Sequence, residues 1–302
     1  MPSSSTAAAF DVAVVGGGPA GLTAAVYLAR FLRSVVVCDA EDGRARLIPK
    51  TRNCPGFPEG LRGEDLLVRL RRQAGRHGVR RMTASVEQIR ATARSFLLRT
   101  SAGDISATFV ILATGIVDRT PAITGLREAI HAGSIRLCPV CDAYEARGRH
   151  IGIIGAERPA LREALFLKDY SPDVTMLFNY PEDVSTVTRQ EAAQAGIEIW
   201  DAVDNVVPQA QGLKVIMAGG APAHNIDIIY PAMGCDVRSE LAIRLGAHCD
   251  EDGYVFINGC LETSVPGLYA IGDVAKGLNQ IAVGFGQAAQ AASHIHDKLR
   301  AV

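Results

Sequence analysis

The chain has no long hydrophobic run and no long basic run. No window of its 302 residues approaches the ~18 to 20 apolar residues that a membrane-spanning helix needs. The net charge is −1, so neither nucleic acid nor an anionic membrane is favoured as a partner. Residues 1–10 lack the basic and long apolar stretches of a signal peptide. We therefore expect an irregular start to the chain and a cytoplasmic protein.

Cysteines are few and mostly scattered. They lie at positions 38, 54, 138, 141, 235, 249 and 260, an odd set that does not suit a secreted disulfide framework. The one close pair, Cys138 and Cys141, indicates either redox chemistry or half of a zinc site. Zinc would need two more ligands at a workable spacing, and the other cysteines and the histidines offer no second pair. No metal is therefore expected.

The length and the order of elements predict two domains. A strand, a glycine loop and a helix near the N-terminus are followed by a second such pattern from residue 150. Segments 253–257 and 267–271 and a helix from about 286 to 299 have no partners nearby in sequence, so they complete the first domain. The predicted fold class is α/β, with two Rossmann-like three-layer dinucleotide-binding domains, the second inserted in the first. The outer domain is expected at 1–118 and 239–302, and the central domain at 119–238.

The glycine loop predicts a dinucleotide site. Gly16, Gly18 and Gly21 follow an apolar strand and open a helix, with Pro19 and Ala20 between them, and Asp39 ends the next strand. In this motif the glycines allow a tight turn, the approach of a pyrophosphate and helix packing, while the acid accepts from a ribose hydroxyl.

A second acidic residue, Asp273, follows Gly272 after an apolar stretch at 268–271. With Thr114 and Gly115 it resembles the three-part signature of FAD-binding flavoproteins with two dinucleotide domains. The resemblance implies FAD, with Asp273 holding the ribityl chain. A turn residue that caps a helix is the alternative for Asp273.

The cysteine pair carries a neighbour suited to its chemistry. A redox pair needs one accessible thiol and a group that handles protons, because the thiolate is the working form. Asp142 directly follows Cys141 and is placed for that role.

Together these motifs resemble those of the low-molecular-weight thioredoxin reductase family. They cover nearly the whole chain in the family's order, at 16–21, 53–58, 113–115, 138–142, 262–273 and 280–282. The resemblance implies that Cys141 faces the flavin, Cys138 is the interchange thiol and Asp142 is the acid/base. It also implies a thioredoxin-like protein or a small dithiol or disulfide as partner, and a homodimer. The remaining FAD-binding residues that it implies are Arg46, Asn53, Gln280, Ile281 and Ala282.

The central domain departs from the family pattern. Its loop at 155–160 has Glu157 in the place of the glycine that lets a pyrophosphate approach, and the carboxylate would repel that anion. Residues 178–180 read Phe-Asn-Tyr where the family has a basic cluster for the 2′-phosphate of NADPH. Arg158 and Lys168 are the only candidates to compensate. The sequence therefore predicts that NADPH binding is lost.

Arginines also replace uncharged family residues near the predicted flavin, at Arg44 and Arg46. They are expected either to adjoin FAD or to face solvent.

These patterns predict an FAD-dependent disulfide oxidoreductase that works without NADPH. Ferredoxin or another flavin would then be the electron donor, or in the opposite direction O₂ would reoxidise a dithiol oxidase. An NADPH-dependent thioredoxin reductase and a non-catalytic redox sensor are the alternatives, and the Cys-x-x-Cys-Asp motif disfavours the sensor. Domain rotation is expected at two hinges, 115–119 and 231–239.

Overall fold

A computed structural model of the chain describes residues 8–301. The predicted irregular start falls largely on residues 1–7, which lie outside the described residues. From Ala8 the chain is in a strand, so the prediction does not hold for residues 8–10.

Two compact units make up the chain. The outer unit contains the residues up to Arg46, Gly63–Val117 and the residues from Asp236 onward, and the central unit contains Leu47–Arg62 and Asp118–Cys235. The predicted division differs by one residue at 118 and by three at 236–238, and in the segment 47–62, which was placed in the outer domain. This segment groups with the central unit because Leu47 packs against that unit's core and Arg52 pairs with Glu145 at 3.5 Å.

The strands are, in chain order, β1 Ala8–Val15, β2 Val35–Cys38, β3 Arg80–Met82, β4 Val86–Ala91, β5 Phe96–Thr100, β6 Ile105–Leu112, β7 Ile116–Asp118, β8 Ile151–Gly155, β9 Val174–Leu177, β10 Glu198–Trp200, β11 Val203–Pro208, β12 Leu213–Met217, β13 His224–Ile226, β14 Ile228–Ala232, β15 Cys235–Val237 and β16 Leu268–Ala270. The α-helices are α1 Pro19–Arg30, α2 Gly63–Arg76, α3 Leu126–Ala132, α4 Pro139–Asp142, α5 Glu157–Lys168, α6 Thr186–Gln194, α7 Glu240–Arg244 and α8 Ile281–Arg300.

The outer unit is built on one large sheet in the order β3-β2-β1-β6-β5-β4. The second half of β6 pairs in parallel with β16, and its first half pairs antiparallel with β5. Strand β2 is buried at every position, as is typical of a parallel strand covered on both faces. Helices α1 and α8 pack together on this sheet, and Leu28 and Ile295 are fully buried in the shared core.

The strand register aligns four strand ends in the outer unit. Val15 lies opposite both Cys38 and Leu112, and Leu112 lies opposite Ala270. The carboxyl ends of β2, β1, β6 and β16 therefore stand side by side at one edge of the sheet. In open α/β sheets this edge is where ligands bind.

The central unit repeats the strand-helix-strand pattern. Its parallel sheet has the order β10-β9-β8-β14, and β11, β12 and β13 form a separate antiparallel sheet. Helix α5 packs against the parallel sheet through Leu161, and Ile153, Met176 and Tyr230 are fully buried in the same core. The predicted fold class is confirmed.

Several element bounds differ from the predicted ones. Helix α8 begins at Ile281, five residues before the predicted position 286, and its first turn includes Gly284. Residues 119–136, which showed no period, contain α3. Residues 253–257 belong to the outer unit but form no strand, since Val255 makes isolated bridges to Cys249 and Ala275.

Within residues 8–301, no helix is both long and apolar enough to cross a membrane.

Candidate functional site

The glycine loop between β1 and α1 contains two glycines that the chain itself requires. A Cβ on Gly16, whose φ is +111°, would lie 2.2 Å from the carbonyl oxygen of Ala113. A Cβ on Gly21 would lie 2.1 Å from the carbonyl oxygen of Gly16. Since real Cβ atoms do not approach backbone so closely, any larger residue would displace the loop.

Gly18 is different, because no packing within the described residues demands a glycine there. Its φ of −75° and ψ of −177° suit any residue, and a Cβ would meet no described atom within 4 Å. Gly18 is the N-cap of α1, and the first turn of that helix contains no acidic residue. Open space beside uncapped helix amides is what a pyrophosphate needs, so the loop fits a dinucleotide.

Asp39, at the end of β2, is buried and held beside this loop. Its Oδ1 accepts a hydrogen bond of 3.0 Å from the backbone N–H of Glu41, and its Oδ2 lies 3.5 Å from Arg71. A Cβ on Gly17 would lie 2.1 Å from Oδ2, so only glycine fits against the carboxylate.

The ends of β6 and β16 are fixed by hydrogen bonds. The Thr114 hydroxyl donates to the carbonyl oxygen of Arg238 at 2.6 Å, and Gly115 has a φ of +69°. The Gly272 N–H donates to the Gln287 side chain at 2.7 Å. Cβ atoms on Gly272 and on Gly284 of α8 would lie 3.0 Å and 3.2 Å from the Cβ of Ala20. The start of α1, the end of β16 and the first turn of α8 thus converge.

Asp273 lies in an ion pair with Arg44, at 3.7 Å, and both side chains are largely buried. Arg46 lies 3.4 Å from Glu64. Each of these arginines therefore faces a carboxylate of the outer unit. The charge of Arg44 neutralises part of the charge on the acid that is predicted to hold the ribityl chain.

The N-terminus of α8 contributes the predicted flavin-facing residues. Gln280 is its N-cap, and Ile281 and Ala282 begin its first turn, which has no acidic residue. The preceding Asn279 has a buried Oδ1 that accepts no hydrogen bond from the described residues. The outer unit thus offers open space at Gly18, an uncapped helix N-terminus at α1 and the buried oxygen of Asn279. These features fit a polar cofactor such as FAD, which Gly18, Asp39, Asp273 and Gln280 would hold.

Asn53, a further predicted flavin-binding residue, lies outside the outer unit. It lies in the segment 47–62, which groups with the central unit, and its Oδ1 accepts from the Thr51 hydroxyl at 3.1 Å.

The central unit carries the redox pair as a formed disulfide. Cys138 and Cys141 are bonded, with their Cα atoms 5.3 Å apart, and Cys138 is the N-cap of the short helix α4. Both cysteines are half-buried. Two large apolar side chains flank them at the surface, Val140 at 58% and Tyr144 at 62% exposure. The disulfide therefore adjoins a surface that offers apolar contact.

Asp142, the predicted acid/base, is enclosed by the central unit. Its Oδ1 accepts a 2.7 Å hydrogen bond from the Tyr230 hydroxyl, and its Oδ2 lies 4.0 Å from Arg136 Nε. Burial raises the pKa of the Asp142 carboxyl above its ordinary value, and the Tyr230 hydrogen bond and the charge of Arg136 offset part of that rise. A raised pKa keeps more of the acid protonated toward neutral pH, as a proton donor requires.

The central nucleotide loop keeps its tight turn but not its open helix terminus. A Cβ on Gly155 would lie 2.3 Å from the carbonyl oxygen of Ala232, so the first glycine is still required. Helix α5 begins at Glu157, within the loop itself. Glu157 accepts hydrogen bonds from the backbone N–H of Ser185, at 2.8 Å, and from its hydroxyl. Pro159, also in the first turn, has no N–H to offer a phosphate.

These hydrogen bonds make the Glu157 carboxyl more acidic than that of an ordinary glutamate. The Ser185 hydroxyl, followed by Thr188 and the Ser185 N–H, lowers the pKa of the Glu157 carboxyl to about 2. The side chain is therefore ionised at neutral pH, at the helix end where a pyrophosphate would lie.

The two basic residues that were expected to compensate, Arg158 and Lys168, form contacts with other groups. Arg158 pairs with Glu191 at 3.0 Å, and Lys168 lies in the last turn of α5, where it donates to the carbonyl oxygens of Pro172 and Gly196. Lys168 is therefore about 16 Å along the helix from Glu157, at a rise of about 1.5 Å per residue. Phe178 is buried in the core, and its apolar side chain cannot bind a 2′-phosphate.

Two residues of this site escaped the sequence analysis, Tyr230 and Ser185. Tyr230 lies in an apolar strand 88 residues after Asp142, and Ser185 lies in a turn 28 residues after Glu157. Neither has a local pattern that signals its partner. Among residues 8–301, no group of three or more His, Cys, Asp or Glu side chains is arranged to hold a metal.

Comparison with known proteins places this geometry in context. The family model for pyridine nucleotide-disulphide oxidoreductases matches residues 10–292. A thioredoxin reductase of Mycolicibacterium smegmatis is 31% identical over 87% of this chain and 88% of its own length. The crystal structure of HlmI has a TM-score of 0.89 at 26% identity, covering 97% of this chain and 93% of its own. A thioredoxin reductase of Streptococcus pyogenes has the same fold, with a TM-score of 0.89 at 24% identity over 98% of this chain and its whole length.

Proposed function

The chain belongs to the pyridine nucleotide-disulphide oxidoreductase family, and we propose that it passes electrons between FAD and the Cys138–Cys141 dithiol without NADPH. It is a flavin-dependent, thioredoxin reductase-like disulfide oxidoreductase.

The dithiol end of the path is assigned to three residues. Cys138 exchanges with the partner, Cys141 faces the flavin, and Asp142 gives and takes the proton. The half-buried disulfide beside an enclosed carboxylate supports these roles. Bound FAD supplies the two-electron centre. The loop from Gly16 to Gly21, with Asp39, Thr114, Gly115 and Asp273, binds and orients it.

The main support for the loss of NADPH binding is that the first turn of α5 presents an ionised Glu157 in place of a glycine. A pyrophosphate would meet a like charge at the helix end and would find Pro159 without an amide proton. The electron donor or acceptor is then a non-nicotinamide partner such as ferredoxin, another flavin or O₂. The dithiol partner is a thioredoxin-like protein or a small dithiol. A cytoplasmic homodimer remains a prediction.

An NADPH-dependent thioredoxin reductase is the second candidate, favoured by the 31% identical relative of that name. An anaerobic stopped-flow panel with NADPH, NADH, reduced ferredoxin and dithiothreitol, read at the flavin absorbance band, separates the two. We expect bleaching by dithiothreitol and none by NADPH. Rapid bleaching at micromolar NADPH would establish the second candidate instead.

Two variants at Glu157 refine the test. Glu157→Gln removes the charge and keeps the bulk, whereas Glu157→Gly removes both. If the side chain is what excludes the nucleotide, bleaching by NADPH increases in Glu157→Gly more than in Glu157→Gln. Equal bleaching rates by NADPH in the unaltered chain and in both variants would show that Glu157 is not what excludes the nucleotide.

A further inference from the structure

The carboxylate beside the dithiol is held by a residue from a distant strand. Tyr230, in β14, is fully buried, and its hydroxyl donates to Oδ1 of Asp142 at 2.7 Å. Burial, followed by the charge of Asp142, raises the pKa of Tyr230 far above its ordinary value. The hydroxyl therefore keeps its proton throughout the working pH range and remains a donor.

The other charged groups that face Asp142 come from its own part of the unit. Arg136 approaches Oδ2 through Nε at 4.0 Å, and its Nη1 donates to the backbone carbonyl of Asp142 at 2.9 Å. Glu145 repels the carboxylate, and Arg52 faces Glu145 at 3.5 Å. Tyr230 is thus the hydrogen-bond donor to Oδ1, whereas among the described residues Oδ2 is approached by the Arg136 cation at 4.0 Å.

We propose that Tyr230 is a positioning residue for the dithiol reaction, because its hydroxyl occupies Oδ1 of Asp142 and leaves Oδ2 as the oxygen that carries the transferred proton. The inference rests on the proposed role of Asp142 as the acid/base. Tyr230, which lies outside the cysteine motif, would then determine which oxygen of Asp142 gives and takes the proton.

The proton balance of the exchange follows from this arrangement. A partner thiolate attacks Cys138, which forms a mixed disulfide and breaks the Cys138–Cys141 bond. Cys141 leaves as a thiolate and takes the proton from Oδ2, and Asp142 becomes a carboxylate that the Tyr230 hydroxyl stabilises. The reverse steps return the proton to Oδ2 when the disulfide forms again.

A pair of buried tyrosines provides the test. Tyr230→Phe removes the hydroxyl and keeps the ring, and Tyr269→Phe is the matched control. Tyr269 is also fully buried on a strand, and its hydroxyl lies 2.9 Å from His294 in the outer unit. The rate of reaction of the oxidised holoprotein with dithiothreitol is measured against pH.

Loss of the hydrogen bond to the carboxylate raises the apparent pKa of Asp142. The limb of the pH–rate profile is the part that depends on the titration of Asp142. In Tyr230→Phe this limb therefore shifts to higher pH by about one to two units. It stays in place in Tyr269→Phe. Replacing Tyr230 by 3-fluorotyrosine, which is a stronger hydrogen-bond donor of the same shape, moves the limb down. This second variant keeps the test valid if Tyr230→Phe folds poorly.

Asp142→Asn separates the inference from its premise. It should abolish the limb and slow the reaction by about 10²- to 10⁴-fold. An unchanged limb in Tyr230→Phe, with the limb lost in Asp142→Asn, would overturn the role of Tyr230 alone. A limb that persists in Asp142→Asn would overturn the role of Asp142 and this inference with it. Neither result depends on NADPH, because dithiothreitol is the reactant.

Discussion

Gly18 should be dispensable for folding and required for flavin binding. In Gly18→Ala the new Cβ enters open space at a backbone conformation that alanine adopts freely. Restricting the unfolded chain stabilises by about 0.4 to 1 kcal/mol, and a poorer N-cap costs on the order of 0.5 kcal/mol. The two effects nearly cancel, so the melting temperature of the apoprotein should move by no more than about 2 °C.

Flavin affinity should respond differently. A methyl group where the pyrophosphate approaches the backbone removes one or more hydrogen bonds to a charged group, each worth about 1.5 to 3 kcal/mol. We therefore expect the dissociation constant for FAD to rise roughly 10- to 150-fold. Apoprotein melting by calorimetry and titration with FAD, followed by flavin fluorescence, measure the two effects separately.

Two other glycines serve as controls. Gly16→Ala brings a Cβ within 2.2 Å of a backbone oxygen at a φ of +111°, so it should destabilise the apoprotein itself. Gly75→Ala, inside α2 with open space around it, should stabilise by about 1 kcal/mol and leave FAD affinity unchanged. The reasoning is refuted if Gly18→Ala melts as low as Gly16→Ala, or if it binds FAD as tightly as the unaltered chain.

Further predictions concern the central unit. Glu157→Gln should lower the free energy of unfolding at pH 7, because the ionised carboxylate accepts the Ser185 hydrogen bonds. The lowered pKa means that this contribution is present above the ordinary value of 4.5 and is lost as pH falls toward about 2, so the two urea-unfolding curves should converge over that range. Glu59→Gln, on an exposed loop, is the control and should show no such convergence. Cys138→Ser should abolish exchange with dithiothreitol while FAD content stays normal; normal exchange would move the interchange role away from Cys138.

The sequence predicted the glycine loop, Asp39 and the strand ends because their determinants are local. Gly16 and Gly21 stand where the backbone itself leaves no room for a Cβ, so the motif records the geometry directly. The start of α8 was missed for the opposite reason. Gly284 looks like a helix breaker, but it lies inside the helix, where a Cβ would lie a tight 3.2 Å from the Cβ of Ala20, a contact that a sequence pattern does not reveal.

The partners of the two central carboxylates could not be predicted for a similar reason. Glu157 was expected to face a phosphate, yet its carboxylate accepts from Ser185, which follows a different strand. Asp142 was assigned from its place beside Cys141, and nothing in the apolar strand around Tyr230 indicates that its hydroxyl reaches that carboxylate. Such long-range pairings depend on strand order and register rather than on spacing.

The packing of α1 against α8 also constrains how the protein can be made. The core that buries Leu28 includes Ile295, so the first helix has no complete partner until residue 295, 267 positions later, leaves the ribosome. At about 5 to 20 residues per second, that delay is on the order of 10 to 60 s. The central unit has all its strands by Cys235 and can fold during this interval. The outer unit therefore completes its core after the central unit, and nascent chains that stall before α8 should be the ones that chaperones capture.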